Sequence, residues 1–255
     1  MAVAHRCGRA RYSGSGSVGF GWPTVTSEFP APGNTRANSA NSGRKQTGLS
    51  RLNPFRNLPS LLSEYKKAYL WLNAGFYGAM AVGMLAAAIH PPLHESTIAD
   101  AREQLSQPGL GASISQAYDT ENVLLAIAIT FAVNLGASVL LTTLPSFVVP
   151  FLGIALVGYR AVYWGFLYTP AEHDMSVLPH YLTLLIEGQA NVLVILAVYV
   201  HGRRWLWPHS SGLTSRWAGY KSGVRATVTL TVAAAAVFFV GAVYEALEVI
   251  YLIPK

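Results

Sequence analysis

The chain has 255 residues, of which 52% are hydrophobic and 12% are charged, and its net charge is +6. A soluble domain carries roughly 25% charged residues, so this composition argues against a soluble globular protein. The basic residues stand beside hydrophobic segments, which favours an anionic membrane surface over nucleic acid as their partner. The single cysteine, Cys7, excludes an intrachain disulfide framework and a multi-cysteine metal site.

Residues 1–57 form a polar segment rich in Ser, Gly, Arg, Asn and Pro, with Glu28 as its one acidic residue. The segment has no apolar periodicity, so it cannot bury enough apolar surface to offset the entropy cost of ordering. We predict a disordered, basic cytoplasmic tail. Two alternatives stay open: a start codon assigned too far upstream, and an organelle transit peptide, for which Arg and Ser with few acids are typical.

Residues 58–255 are predicted to form one all-α domain, a polytopic membrane bundle of five transmembrane helices. About 20 apolar residues are needed to cross a hydrocarbon layer of ~30 Å. The predicted spans cover residues 68–89, 122–144, 147–168, 177–200 and 224–253. Pro145 and Ser146 are predicted to form a tight turn that makes the second and third spans antiparallel. Because this turn is very short, four or six spans remain possible.

Lysine and arginine are distributed unevenly among the connections. Ten precede the first span, and the connection after the fourth carries five, namely Arg203, Arg204, Arg216, Lys221 and Arg225. The connection over residues 90–121 has Arg102 against five acidic residues, and the other two connections have none. Since cytoplasmic loops are enriched in Lys and Arg, the N-terminus is predicted inside and the C-terminus outside.

Two connections carry further signals. Aromatic residues accompany the arginines after the fourth span, which predicts a segment lying along the membrane surface; they are Trp205, Trp207, Trp217 and Tyr220. The outer connection has a helical pattern over residues 96–105 and a turn at Pro108 and Gly109. It is the one sizeable exported segment, so we expect an external partner to meet it or the small loop after Tyr168.

Small residues within the spans predict where helices approach closely, because apolar side chains gain little by leaving lipid for one another. The candidate positions are Ala79 with Gly83, Ala132 with Gly136, Gly153, Gly158 and residues 233–236. We interpret them as packing features without chemistry.

Ionisable residues inside spans cost roughly 2.5–3.5 kcal/mol each on insertion scales, so they need partners. With a rise of 1.5 Å per residue, Arg160, Glu187 and Glu245 lie ~12–15 Å inside the outer ends of their spans. His180, Thr183 and Asn191 share a helical stripe with Glu187, and Glu248 is one turn from Glu245. We predict a buried cluster in the outer half of the bundle: Arg160, His180, Glu187, Asn191, Glu245 and Glu248.

The simplest role for this cluster is structural, with Arg160 pairing with Glu187 or Glu245 to hold helices together. A proton or ion pathway and a substrate or lipid-headgroup site are the alternatives.

Enzyme interpretations have weaker support. Gly136-Ala137-Ser138 is similar to the serine motif of rhomboid intramembrane proteases. However, Ser138 and the candidate base His180 should lie over ~15 Å apart, too far for a nucleophile and its base. A metal site at His90, His94 and Glu95 is disfavoured by the intervening prolines. We therefore predict no catalytic residue, no metal and no cofactor.

The fourth and fifth spans carry a family-like pattern. Leu178-Pro179-His180 precedes an acidic residue in the same helix and an apolar run to Gly202-Arg203, and Tyr244-Glu245-Ala246 precedes Pro254. On these residues, the chain resembles the stage II sporulation protein M family over about residues 65–255. Family members carry Pro-His-Gly-x-x-Glu; here Tyr181 and Leu184 replace the Gly and the Glu, and Glu187 follows one helical turn later.

The resemblance implies a non-enzymatic integral membrane component, which in spore formers anchors peptidoglycan-degrading partners. We accordingly expect a multi-pass scaffold of the cell membrane that positions envelope-remodelling proteins, with Pro179 and His180 as family-motif residues. Its expected partners are the lipid bilayer and other proteins, without nucleic acid. An ion- or proton-coupled transporter or channel that uses the polar cluster is the alternative, and an organelle membrane stays possible if the tail is a transit peptide.

Overall fold

The computed structural model describes residues 54–170 and 178–252, so most of the predicted tail lies outside the described residues. Every regular element of the described part is helical. Four of its helices are long and apolar enough to cross a membrane, and a fifth apolar helix is shorter. The all-α class is therefore confirmed, with four helices of membrane-spanning length.

The first four helices are α1 (Pro54–Glu64), α2 (Lys66–Ile89), α3 (Pro92–Ser106) and α4 (Leu110–Asp119). Residues 54–57, assigned to the tail from the sequence, are thus helical. The outer connection contains two helices where the sequence indicated one. Gly109 separates them with a φ of 106°, a conformation that suits glycine, so the predicted turn at Pro108 and Gly109 is confirmed.

The second span is continuous through the proline that we expected to end it. Helix α5 (Val123–Ala137) continues as a π-helical segment (Ser138–Thr143) and then as α6 (Leu144–Ser146). The turn predicted at Pro145 is therefore wrong. A proline displaces the carbonyl group four residues before it, and the wider π-helical turn accommodates this displacement.

The chain reverses over residues 147–151, where Phe151 adopts a φ of 67°. One serine closes this reversal: the Ser146 hydroxyl donates to the Thr142 carbonyl at 2.7 Å and accepts from the Gly153 N–H at 2.8 Å. A Cβ on Gly153 would stand 2.6 Å from the Thr142 carbonyl oxygen. Only glycine therefore lets the next helix start so close to α6.

The remaining helices are α7 (Leu152–Leu167), α8 (His180–Leu206), a 3₁₀ helix (Pro208–Ser211) and α9 (Arg216–Tyr251). Helix α7 has 16 residues and is therefore ~24 Å long. It is shorter than the third span predicted over residues 147–168. Helices α8 and α9 both extend beyond their predicted inner ends.

The aromatic segment predicted to lie along the membrane surface includes the end of α8 and the start of α9, which pack together. Trp205 and Tyr220 have ring centroids 5.2 Å apart. His201 is buried beside them, with Phe147 at 4.9 Å on another side. Ser215 caps α9 by accepting from the Ala218 N–H at 3.2 Å. Trp205 and Tyr220 are thus partly buried, whereas Trp207 is 56% and Trp217 is 65% exposed. The location of this segment along the membrane surface stays a prediction.

Helix α8 is central: 78% of its most apolar stretch is buried, against 22% for α2 and 50% for α9. Helices α2 and α7 touch at two glycines. A Cβ on Gly83 would stand 2.3 Å from the Val162 carbonyl oxygen, and one on Gly165 would stand 2.2 Å from that of Met80. By contrast, a Cβ on Gly136 or Gly158 would meet no atom within 4 Å, so these two predicted contacts are not formed.

Candidate functional site

A polar cavity of about 180 Å³ lies among α5, α7, α8 and α9. Its volume is sufficient for several water molecules. It is lined by the three charged residues that the sequence predicts at a similar depth, Arg160, Glu187 and Glu245. The other lining residues are Ile114, Thr130, Val133, Asn134, Trp164, Tyr168, His180 and Leu184. The site thus contains charged groups from three helices, with one wall contributed by α4.

Arg160 and Glu187 are connected through an asparagine. The side-chain amide of Asn134 donates to Glu187 Oε1, and its carbonyl accepts from Arg160 Nη2 at 3.3 Å. The guanidinium also lies over the Trp164 ring, 4.6 Å from the ring centroid. The ion pairs of the described residues do not include Arg160. The predicted direct pairing with Glu187 or Glu245 is therefore corrected: Asn134 lies between the charges.

The second carboxyl of the cavity belongs to Glu245, which lines it together with Glu187. Gly241, one turn earlier on α9, lets Glu187 of α8 come close to this helix, because a Cβ there would stand 3.1 Å from Glu187 Cγ. Two carboxyls that line one small cavity can share one proton or hold one cation. This pair is the part of the site with the clearest capacity for chemistry.

Glu248 is fully buried and faces the start of α8. Its Oε1 lies 3.0 Å from His180 Nδ1, and its Oε2 accepts from the Thr183 hydroxyl at 2.6 Å. The Tyr244 hydroxyl donates to the Pro179 carbonyl at 3.2 Å. Both residues of the family-like motif, Pro179 and His180, therefore join α8 to α9. Glu245 and Glu248 are neighbours in sequence, but Glu245 lines the polar cavity and Glu248 does not.

Asn191 shares the stripe of Glu187 but does not line the cavity. Its amide donates to the main-chain carbonyl of Glu187 at 2.9 Å. Its side-chain oxygen is buried without a partner among the residues described. The cavity thus brings together four members of the predicted cluster, Arg160, His180, Glu187 and Glu245. Glu248 is connected to it through His180, and Asn191 lies apart from it.

The weaker catalytic and metal alternatives find no matching geometry. The Ser138 hydroxyl is buried and has no hydrogen-bond partner within the described ranges, whereas His180 faces Glu248. His94 Nδ1 lies 2.8 Å from the Phe166 carbonyl oxygen. Over residues 54–170 and 178–252, no three His, Cys, Asp or Glu side chains are grouped as metal ligands.

A second polar network joins α2 to α8 around Gln189. The Tyr69 hydroxyl donates to Gln189 Oε1 at 2.7 Å, and Gln189 Nε2 donates to Asn73 Oδ1 at 2.8 Å and to the Tyr77 hydroxyl at 2.9 Å. This network was not predicted from the sequence. Tyr69, Asn73 and Tyr77 recur every four residues on one face of α2, and this spacing was the available signal.

Comparison with known proteins gives no match to a protein-family model, a curated protein or a solved structure. The resemblance at Pro179 and His180 stays a prediction, and a function has to be argued from the described residues.

Proposed function

We propose that this protein is a non-enzymatic, five-span scaffold of the cell membrane whose outer helices, α3 and α4, position envelope-remodelling proteins. One observation carries the proposal: both outer helices are hydrogen-bonded to the bundle. His94 of α3 contacts the Phe166 carbonyl of α7 at 2.8 Å, and Tyr118 of α4 shares a hydrogen bond of 2.7 Å with Thr130 of α5. A partner would therefore meet a surface of defined orientation.

The polar contacts of the cavity support this role because each of them joins two helices. Glu248 joins α9 to α8, and Glu187 joins α8 to α5 through Asn134. Asn134 in turn accepts from Arg160 of α7. Hydrogen bonds between membrane helices contribute about 0.6 kcal/mol each on average. Several of them together specify one arrangement of the helices that carry α3 and α4.

The other half of the bundle favours a scaffold over a transporter. In that half, α8 and α9 contribute apolar side chains that are fully buried, namely Val194, Leu196 and Ala197 of α8 and Leu230 and Phe238 of α9. An ion crossing the membrane needs polar partners along its route. Between these facing stretches of α8 and α9 the side chains are apolar and closely packed, which makes a continuous polar route through them unfavourable.

The distribution of charge supports an inside N-terminus and outside C-terminus. Lys66, Lys67 and Arg203 line one cavity, and Arg204 pairs with Glu64 at 3.1 Å, so these cations share one end of the bundle. Such clusters favour the cytoplasmic side. Helix α7 serves as the fifth span in this topology. Its ~24 Å length fits a locally thinned bilayer.

The resemblance of the fourth span to the stage II sporulation protein M family supports the choice of partner. The resemblance implies an anchor for peptidoglycan-degrading proteins, as in the spore-forming members of that family. Here the two motif residues, Pro179 and His180, fix the outer start of α8 against α9. We therefore propose cell-wall hydrolases as the proteins that meet α3 and α4.

A photo-crosslinking amino acid in the outer helices tests this proposal. At Leu105 of α3 and Gln116 of α4, both exposed, we expect adducts with a cell-wall hydrolase in growing cells, identified by mass spectrometry. The matched control is Leu85, which is 61% exposed on α2, where lipid adducts are expected because α2 is a span.

The hydrolase adducts should decrease when Tyr118→Phe and Thr130→Val together remove the bond between α4 and α5. The amount of protein in the membrane should stay the same. If Leu105 and Gln116 yield the same adducts as Leu85, the outer helices are not a docking surface and the scaffold proposal is wrong.

An ion- or proton-coupled transporter or channel is the second candidate, and the cavity with Glu187 and Glu245 is the observation that favours it. The test is flux into liposomes loaded with pH- or ion-sensitive dyes. Flux that is abolished by Glu187→Gln, but unchanged by Glu103→Gln on the exposed face of α3, would replace the scaffold by transport. We expect the dye signal to equal that of empty liposomes.

A further inference from the structure

A second cavity, of about 570 Å³, lies at the other end of α8, between the start of α2 and the end of α8. Its lining residues on α8, Tyr199 and Arg203, follow Glu187 of the polar cavity by 12 and 16 residues, or ~18–24 Å along the helix. Three basic side chains line it, Lys66, Lys67 and Arg203, and three serines add hydroxyl groups, namely Ser63, Ser210 and Ser211. We name it the basic cavity.

The positive charge of the basic cavity is largely uncompensated. Glu64 is the acidic residue among its described lining side chains, and its carboxylate already accepts from Arg204 at 3.1 and 3.3 Å. The ion pairs of the described residues do not include Lys66, Lys67 or Arg203. Three cations thus face one space without an acidic partner of their own. An anion is the ligand that such a space favours.

The donors of the basic cavity are of the kinds that bind phosphate. The Arg203 guanidinium donates from Nη1 to the Tyr199 hydroxyl at 3.0 Å, which holds its plane and leaves its other N–H groups for a ligand. Lys66 and Lys67 are exposed and can move onto a bound group. Arginine and lysine together are the usual phosphate ligands in proteins.

The wall of the basic cavity continues into an apolar surface on α2. Trp71, one of its lining residues, is 78% exposed, and the neighbouring Leu70 is 65% exposed. Lys66 and Trp71 are five residues apart, or ~8 Å along the helix. Tryptophan at a span end marks the headgroup level of a bilayer. The cations therefore stand at the depth of lipid phosphates, and the apolar side chains stand at the depth of acyl chains.

We propose that the basic cavity is a binding site for an anionic phospholipid, with the lipid phosphate held by Lys66, Lys67 and Arg203 and the acyl chains lying along Trp71. This site is independent of the proposed scaffold function, since it shares no residue with α3, α4 or the polar cavity.

Native mass spectrometry of the full chain in detergent, with added phosphatidylglycerol, tests the proposal. Each basic residue near an anionic lipid contributes about fivefold in affinity. The variant K66Q/K67Q/R203Q should therefore bind phosphatidylglycerol about a hundredfold more weakly. The matched control is R216Q/K221Q/R225Q, which removes three exposed cations from the start of α9, outside the cavity, and should bind nearly as the unchanged chain does.

The possible outcomes separate the sources of the phosphate. Equal losses in the two triple variants would mean general surface attraction and would overturn the proposal. Retention of phosphatidylcholine equal to that of phosphatidylglycerol would also overturn it. Displacement of the lipid by an excess of inorganic phosphate would indicate a soluble ligand and would overturn it as well. If K66Q/K67Q/R203Q does not fold, the double variant K66Q/K67Q is measured in its place, because it changes only exposed side chains. This double variant should still lose about twenty-five-fold, and unchanged binding in it would refute the site.

Discussion

Replacing Arg160 by leucine should lower the free energy of unfolding in detergent by about 3–5 kcal/mol, the cost of leaving a buried charge without its partner. Arg160 lies on the polar cavity with Glu187 and Glu245 and is connected to Glu187 through Asn134. Without the guanidinium, the carboxyls of Glu187 and Glu245 would line the cavity without its arginine. The shift of the denaturation midpoint, measured with tryptophan fluorescence, reports the loss.

Two further variants make this result specific. Arg160→Leu combined with Glu187→Gln removes both charges, so it should recover part of the lost stability, as expected for groups of one network. Arg102→Leu removes an exposed arginine on α3, and should change stability by no more than about 0.5 kcal/mol. If Arg160→Leu is as stable as the unchanged chain, the cavity does not depend on its cation.

Replacing Gly165 by alanine should lower stability by about 3 kcal/mol, at the upper end of overpacking costs. A Cβ at this position would stand 2.2 Å from the Met80 carbonyl oxygen and 2.7 Å from the Met84 amide nitrogen. Both are main-chain atoms, so no side-chain rotation can relieve the clash. Helices α2 and α7 would have to separate, and the edge-to-face contact of Phe76 with Trp164, 6.2 Å between centroids, would be lost.

The same helix offers the control for this prediction. A Cβ on Gly158 would meet no atom within 4 Å, so Gly158→Ala should be neutral or should stabilise by up to about 1 kcal/mol through helix propensity. Thermal denaturation in one detergent compares the two variants. If the Gly165→Ala and Gly158→Ala proteins have the same melting temperature, α2 and α7 do not pack as described.

The helical membrane class and the level of the polar cluster were accessible from sequence. A constant rise of 1.5 Å per residue converts position into depth, and for this reason Arg160, Glu187 and Glu245 could be placed together before any helix was positioned. The turn at Gly109 was accessible for a similar reason, since a left-handed φ favours glycine in any context.

The partners within the cluster were not accessible from sequence. The depth of a residue does not say how its helix is rotated about its own axis relative to the other helices. The sequence was therefore equally consistent with a direct pair between Arg160 and a carboxyl and with a pair bridged by Asn134. The pairing of His180 with Glu248, 68 residues away, also required the packed helices. Pro145 misled for a different reason: a π-helical turn absorbs a proline that normally ends a helix.

By itself, the sequence determined that the chain has apolar stretches long enough to cross a membrane, where these stretches stand, and which charged residues reach a common level along them, because hydropathy and helical rise are local properties. The tertiary structure alone decided which side chains touch. It placed Gly83 and Gly165 at a helix contact, but left Gly158 without one. It also placed Glu245 on the polar cavity and Glu248 against His180 and Thr183. These outcomes depend on how helices rotate and cross, and many distant residues set that geometry together through close packing.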